Sequence, residues 1–124
     1  MEKYCILLSG PTANNDKELI AELQINTLVL KNSDNKQIES ILKAHKINLI
    51  LFEINKNNHS EIELIKNIKN QFPKIPIILI DGNGDREVMV KAFDYGVKDA
   101  FKKPYKFNLI SERVSALLRH QNLS

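Results

Sequence analysis

A single cysteine, Cys5, sits in an apolar run near the start of the chain, and one cysteine excludes both a disulfide framework and a metal site with paired thiolate spacing. No apolar run approaches the roughly 20 residues that a membrane span requires. The stretch in MEKYCILLSG is too short for a secretory leader and lacks a small-residue cleavage site, so a reducing cytoplasm is the expected location. Three histidines, His45, His59 and His120, are scattered without ligand spacing and are expected in solvent. Charge of one sign is not in large excess either: 18 basic residues against 15 acidic ones give +3, mixed along the chain, too mild a balance to argue for nucleic acid. Repeats, linkers and low-complexity tracts are also missing.

What is present is an ordinary globular composition, 43% apolar and 27% charged over 124 residues, enough for one core and too short for two. Five short apolar runs read as strands: YCILL (4 to 8), TLVL (27 to 30), INLILFE (47 to 53), IPIILID (75 to 81) and KDAF (98 to 101). The middle runs are apolar on both faces, as central parallel strands covered on each side should be. Helical spacing alternates with them. Leu19, Ile20 and Leu23 form one stripe, Ile38, Ile41 and Leu42 a second, Leu64, Ile65, Ile68 and Phe72 a third, and Ile110, Val114, Leu117 and Leu118 the last. Between these, the segment from Asp85 to Tyr95 is expected to bury Met89, Ala92 and Phe93 before Gly96 stops it, which turns Val88, Lys91 and Tyr95 outward. Asp34 with Gln37 and Ser60 with Glu63 have capping-box spacing. The order, strand then helix five times, predicts a three-layer, doubly wound α/β domain with a five-stranded parallel sheet over residues 1–120 and a tail at 121–124.

In such a sheet the ligand crevice lies at the carboxyl ends of the strands. Those ends carry Ser9 and Gly10, Glu53, Asp81 and, just past the fifth strand, Lys103. Two carboxylates and an ammonium are thus expected to converge. The loop SGPT lacks the glycine spacing and lysine of a phosphate-binding P-loop, and Asp81-Gly82-Asn83-Gly84 is turn chemistry whatever it binds.

From LILFEIN through FPKIPIILIDGNGD to AFDYGVKDAFKKPY, the chain resembles the receiver domains of bacterial two-component response regulators, with Pro76, Gly82, Gly96, Asp99, Lys103 and Pro104 in the family's expected places. The resemblance implies a flavodoxin-like fold. It also implies that Glu53 stands where the family has its phosphoacceptor aspartate, Ser9 and Gly10 where it has the acidic pair that holds Mg²⁺, Asp81 at the switch Ser or Thr, and Ala100 at the switch aromatic. Lys103 alone matches. Aspartyl phosphorylation needs an in-line carboxylate and a metal to neutralise the phosphoryl oxygens, so the resemblance implies a non-enzymatic pseudo-receiver without cofactor, metal or catalytic residue. Its partners would be proteins: an output domain, a histidine kinase or another regulator. A homodimer through the face of the fourth helix, fifth strand and fifth helix, around Val88, Lys91, Tyr95 and Ala100, is expected as well, with neither membrane nor nucleic acid bound by the domain itself. Two other readings stand beside this one: a receiver that accepts phosphate atypically on Glu53 or Asp81, and a flavodoxin-like small-molecule sensor using the same crevice.

Overall fold

The computed structural model describes residues 3–10, 15–54, 59–81 and 86–122. Five strands, β1 (Cys5–Ser9), β2 (Leu28–Asn32), β3 (Leu49–Ile54), β4 (Ile77–Asp81) and β5 (Asp99–Lys102), alternate with helices α1 (Lys17–Gln24), α2 (Ile38–Ala44), α3 (His59–Gln71), α4 (Arg86–Asp94) and α5 (Phe107–Asn122). All strands are parallel, in the order β2-β1-β3-β4-β5. The chain reverses its winding direction between β1 and β3, and this places the crevice above those two strands.

Strand alternation sorts the core into two layers. Leu7, Ile50, Phe52, Ile54, Ile77 and Leu79 pack on α2, α3 and α4. Ile6, Leu8, Leu49, Leu51, Ile78 and Ile80 face the opposite way, against α1 and α5. The expected stripes of α1 and α5 are buried throughout. In α2, Ile38 and Leu42 are buried and Ile41 is half-buried; in α3, Ile65 and Ile68 are buried, Leu64 and Phe72 are half-buried, and Ile62 joins them in the core.

Local signals explain the helix ends. The Asp16 carboxylate accepts from the Leu19 amide at 3.1 Å and caps α1. Asp34 caps a 3₁₀ turn, Asn35–Gln37, ahead of α2, its Oδ1 accepting from Lys36 N at 3.0 Å. Ser60 lies inside α3, which already begins at His59, so the Ser60–Glu63 spacing marks no helix start. After α4, Gly96 at φ 106° lets its own amide reach Phe93 O (3.0 Å) and the Val97 amide reach Ala92 O (3.1 Å). That is the paired closure of a Schellman motif, which a left-handed residue makes possible. The last helix runs to Asn122, taking in two residues expected as tail, and Gln121 Nε2 donates to Asn48 O at 2.8 Å.

The stripe on α4 differs from the expected one by one position. Val88 and Ala92 are buried, Met89 is half-buried, and Phe93 is 47% exposed beside Val90 at 52%. Five of the nine residues in this helix are apolar, so two adjacent stripes compete, and the i, i+4 pair Val88/Ala92 wins by continuing into Val97 below it. Val88 is therefore core rather than surface. Tyr95 is half-buried against α3 instead of turned outward: its hydroxyl donates to Glu63 Oε1 at 3.3 Å, and the Lys66 ammonium lies 5.6 Å from its ring centroid. Lys91 is exposed, as the spacing predicts.

Candidate functional site at the carboxyl ends of the strands

Register brings the strand ends level, pairing Ser9 with Phe52 across β1 and β3 and Ile54 with Asp81 across β3 and β4. Glu53 follows Leu49 and Leu51 in the alternation and so faces the α1/α5 side. Its side chain has no exposure at all, and its Oε2 receives the Lys103 ammonium in a salt bridge; the Lys103 side chain keeps 29% of its surface in contact with solvent. A wholly buried carboxylate requires such a counter-ion, because an unpaired one loses its hydration without replacement. Lys103 reaches it from the segment between β5 and α5, where the Lys103–Pro104 peptide is cis.

Gly10 is the second feature. At φ 146° it leaves β1 with its amide donating to Asn32 O at 2.9 Å. A Cβ on this residue would lie 2.3 Å from Glu53 Cβ and 2.5 Å from Glu53 Oε1, well inside contact distance. The glycine is thus the room into which the glutamate side chain fits.

Around this pair, Tyr105 closes the side facing α1. Its hydroxyl donates to Asp16 Oδ2, joining the cap of α1 to the entry of α5 across 89 positions of sequence. Burial, the Asp16 bond and the negative charges of Asp16 and Glu53 all push the Tyr105 phenol upward, so it stays protonated at neutral and moderately alkaline pH. Asn15, Asp16, Lys103, Pro104 and Tyr105 line an open cleft of ≈ 530 Å³.

On the other side of the sheet Ser9 is fully buried, and its hydroxyl donates to Asn35 Oδ1 at 2.6 Å while accepting from Asn32 Nδ2 at 3.0 Å. Asn35 Nδ2 continues to Glu53 O (3.0 Å) and Glu61 Oε2 (2.9 Å). Neither Asn32 nor Asn35 stands out in the sequence, since both fall in a polar turn between runs; only their closeness to a strand end hints at a role.

Of the expected site residues, the structure brings Gly10, Glu53 and Lys103 into direct contact or contact distance and places Ser9 behind them. Ala100 is half-buried in β5 against the core layer of α2 to α4. The Asp81 side chain, the loop after Gly10, and the turn at Gly82, Asn83 and Gly84 lie outside the described residues. Among the described residues, no three His, Cys, Asp or Glu side chains come together as metal ligands, and no helix is long and apolar enough to cross a membrane.

The model of the "Response regulator receiver domain" family matches residues 12–115, most of the chain. The chain belongs to that family. It is similar to the transcriptional regulatory protein CrdR of Helicobacter pylori, 29% identical over 117 residues that cover 92% of this chain and 54% of the relative. The chain thus spans about half the length of that protein. Among solved structures, a CheY-like response regulator receiver domain protein from Methanospirillum hungatei superposes with TM-score 0.86 over 98% of both chains at 18% identity. An orphan response regulator of H. pylori, HP1043, gives TM-score 0.80 at 20% identity, over 93% of this chain and 96% of that one. The structural likenesses establish the CheY-like fold, and the family match a receiver domain of two-component signalling. Receiver domains work with histidine kinases and output domains, and are generally not enzymes.

Proposed function

We propose that this receiver works without phosphorylation, as a protein-interaction module held in one conformation. The observation that carries the reading is the buried Glu53–Lys103 ion pair packed against Gly10. Glu53 takes the phosphoacceptor position and Ser9 and Gly10 the positions of the family's metal-binding acids. Among the described residues the donor set does not fit Mg²⁺, which takes oxygen ligands in near-ideal octahedral geometry. The Ser9 hydroxyl is committed to two asparagine side chains, residue 10 has no side chain, and the Glu53 carboxylate already holds an ammonium. A negative group on Lys103 partly imitates an aspartyl phosphate, though with about one charge where phosphate has nearly two. With Ala100 at the switch-aromatic position there is no ring to move between inward and outward states.

Incubation with acetyl phosphate or beryllofluoride and Mg²⁺ is expected to leave intact mass and amide spectra unchanged. An adduct on Glu53 or Asp81 would establish the atypical, phosphorylatable receiver instead.

Within the same reading, the partner-facing side of α4 centres on Val90 and Phe93, both about half exposed, next to exposed Lys91. A second copy of the chain is the occupant we assign to it. Val90→Asp combined with Phe93→Asp should keep the far-ultraviolet circular dichroism of the fold and weaken self-association several-fold in sedimentation, since two apolar contacts become charged. Unchanged association in the folded double variant would move the contact off α4.

A further inference from the structure

Asn35 is held by three elements at once. Its Oδ1 accepts from Ser9 at the end of β1 (2.6 Å), and its Nδ2 donates to the backbone carbonyl of Glu53 in β3 (3.0 Å) and to Glu61 Oε2 in the first turn of α3 (2.9 Å). The two hydrogens of a primary amide serve two oxygens, and its carbonyl oxygen serves the buried hydroxyl. The turn that carries Asn35 is fixed by its neighbours: Asn32 Nδ2 donates to Asp34 O at 2.7 Å, and Asp34 caps the turn.

The positive end of the amide therefore lies between a carbonyl oxygen and a carboxylate oxygen. Such oxygens are what a hard divalent cation collects. We infer that the Asn35 amide does permanently what a divalent cation would do at this end of the sheet: it ties β1, β3 and α3 together, and makes their closure independent of metal. The inference extends the phosphorylation-independent reading by naming what stands in for the ion. An aspartate at this position would reverse the polarity, aiming carboxylate oxygens at the Glu61 carboxylate and the Glu53 carbonyl with no hydrogen between them. A cation bound between them would then reconcile the three. A leucine would remove all three hydrogen bonds and give a cation little to bind.

The test is thermal unfolding of the wild type, Asn35→Asp and Asn35→Leu in a chelator and in millimolar Mg²⁺, Mn²⁺ or Ca²⁺. The wild type is expected to melt at the same temperature in all conditions. Asn35→Leu should lose about 5–10 °C, the size expected for three partly buried hydrogen bonds in a domain of this length, with no recovery by metal. Asn35→Asp should lose at least as much in chelator and regain at least half with Mn²⁺ or Mg²⁺. If Asn35→Asp does not fold in chelator, adding Glu61→Gln removes the opposing carboxylate and should restore a fold whose melting ignores the cation. A wild type stabilised by the cations as strongly as Asn35→Asp would overturn the inference. So would Asn35→Asp matching the wild type in chelator, losing stability without any cation response, or still responding once Glu61 is Gln. No phosphodonor enters these measurements, so a failure here is distinct from an adduct in the labelling experiment.

Discussion

Gly10→Ala is expected to destabilise the domain by about 3–5 kcal/mol, and Gly10→Asp by at least as much, as read from chemical denaturation. Two costs combine. The backbone at φ 146° is one that a side-chain-bearing residue rarely adopts, and the added Cβ would meet Glu53 Cβ at 2.3 Å. The obstacle is the base of a buried side chain rather than its flexible tip, so a rotamer change in Glu53 cannot clear it and the end of β1 must move. Glu53→Ala in the Gly10→Ala background removes the clash with Oε1 at 2.5 Å and keeps the one at Cβ, so only a minor part of the stability should return. An acid placed at position 10 would meet the same obstruction. A Gly10→Ala variant within about 1 kcal/mol of wild type, the scatter of ordinary substitutions, would show that β1 yields easily and that glutamate and glycine are not sterically linked.

This linkage also shows where sequence reasoning stops. Position 10 reads along the chain as an acid lost, whereas in three dimensions it is the space that the Glu53 side chain, 43 residues on, occupies, and no local pattern connects the two. The fold was far more legible. Central strands such as LILFEI are buried at every position, so their apolar runs are continuous and their limits follow within a residue or two. The meeting of Glu53 with Lys103 could be anticipated because topology alone delivers strand ends to one crevice. Helix α4 misled because its five apolar residues in nine support two faces, and the choice depends on Val97 and α3, which periodicity does not include. Asn35 and the Tyr105–Asp16 bond were invisible for a plainer reason: single polar residues in turns have no periodic signature, and their partners lie 26 and 89 positions away.

The Glu53–Lys103 pair should respond asymmetrically to the loss of its two members. Lys103→Met keeps most of the stem packing and removes the ammonium, leaving a carboxylate with no solvent contact short of its counter-ion; about 3 kcal/mol of stability should go. Glu53→Gln removes the charge from the buried side instead. The lysine left behind has 29% of its side chain exposed and can turn its ammonium to water, so a loss of about 1 kcal/mol is expected. Combining the two should recover a large share of what Lys103→Met alone cost, because glutamine beside methionine buries no charge. The coupling in this double-mutant cycle should reach about 1–3 kcal/mol, the range for groups in direct contact. Strictly additive losses would mean that the ammonium does not compensate the carboxylate, and the fixed charge pair on which the phosphorylation-independent reading rests would have no energetic basis. Equal losses from the two single variants would place the burden on side-chain packing rather than on the buried charge.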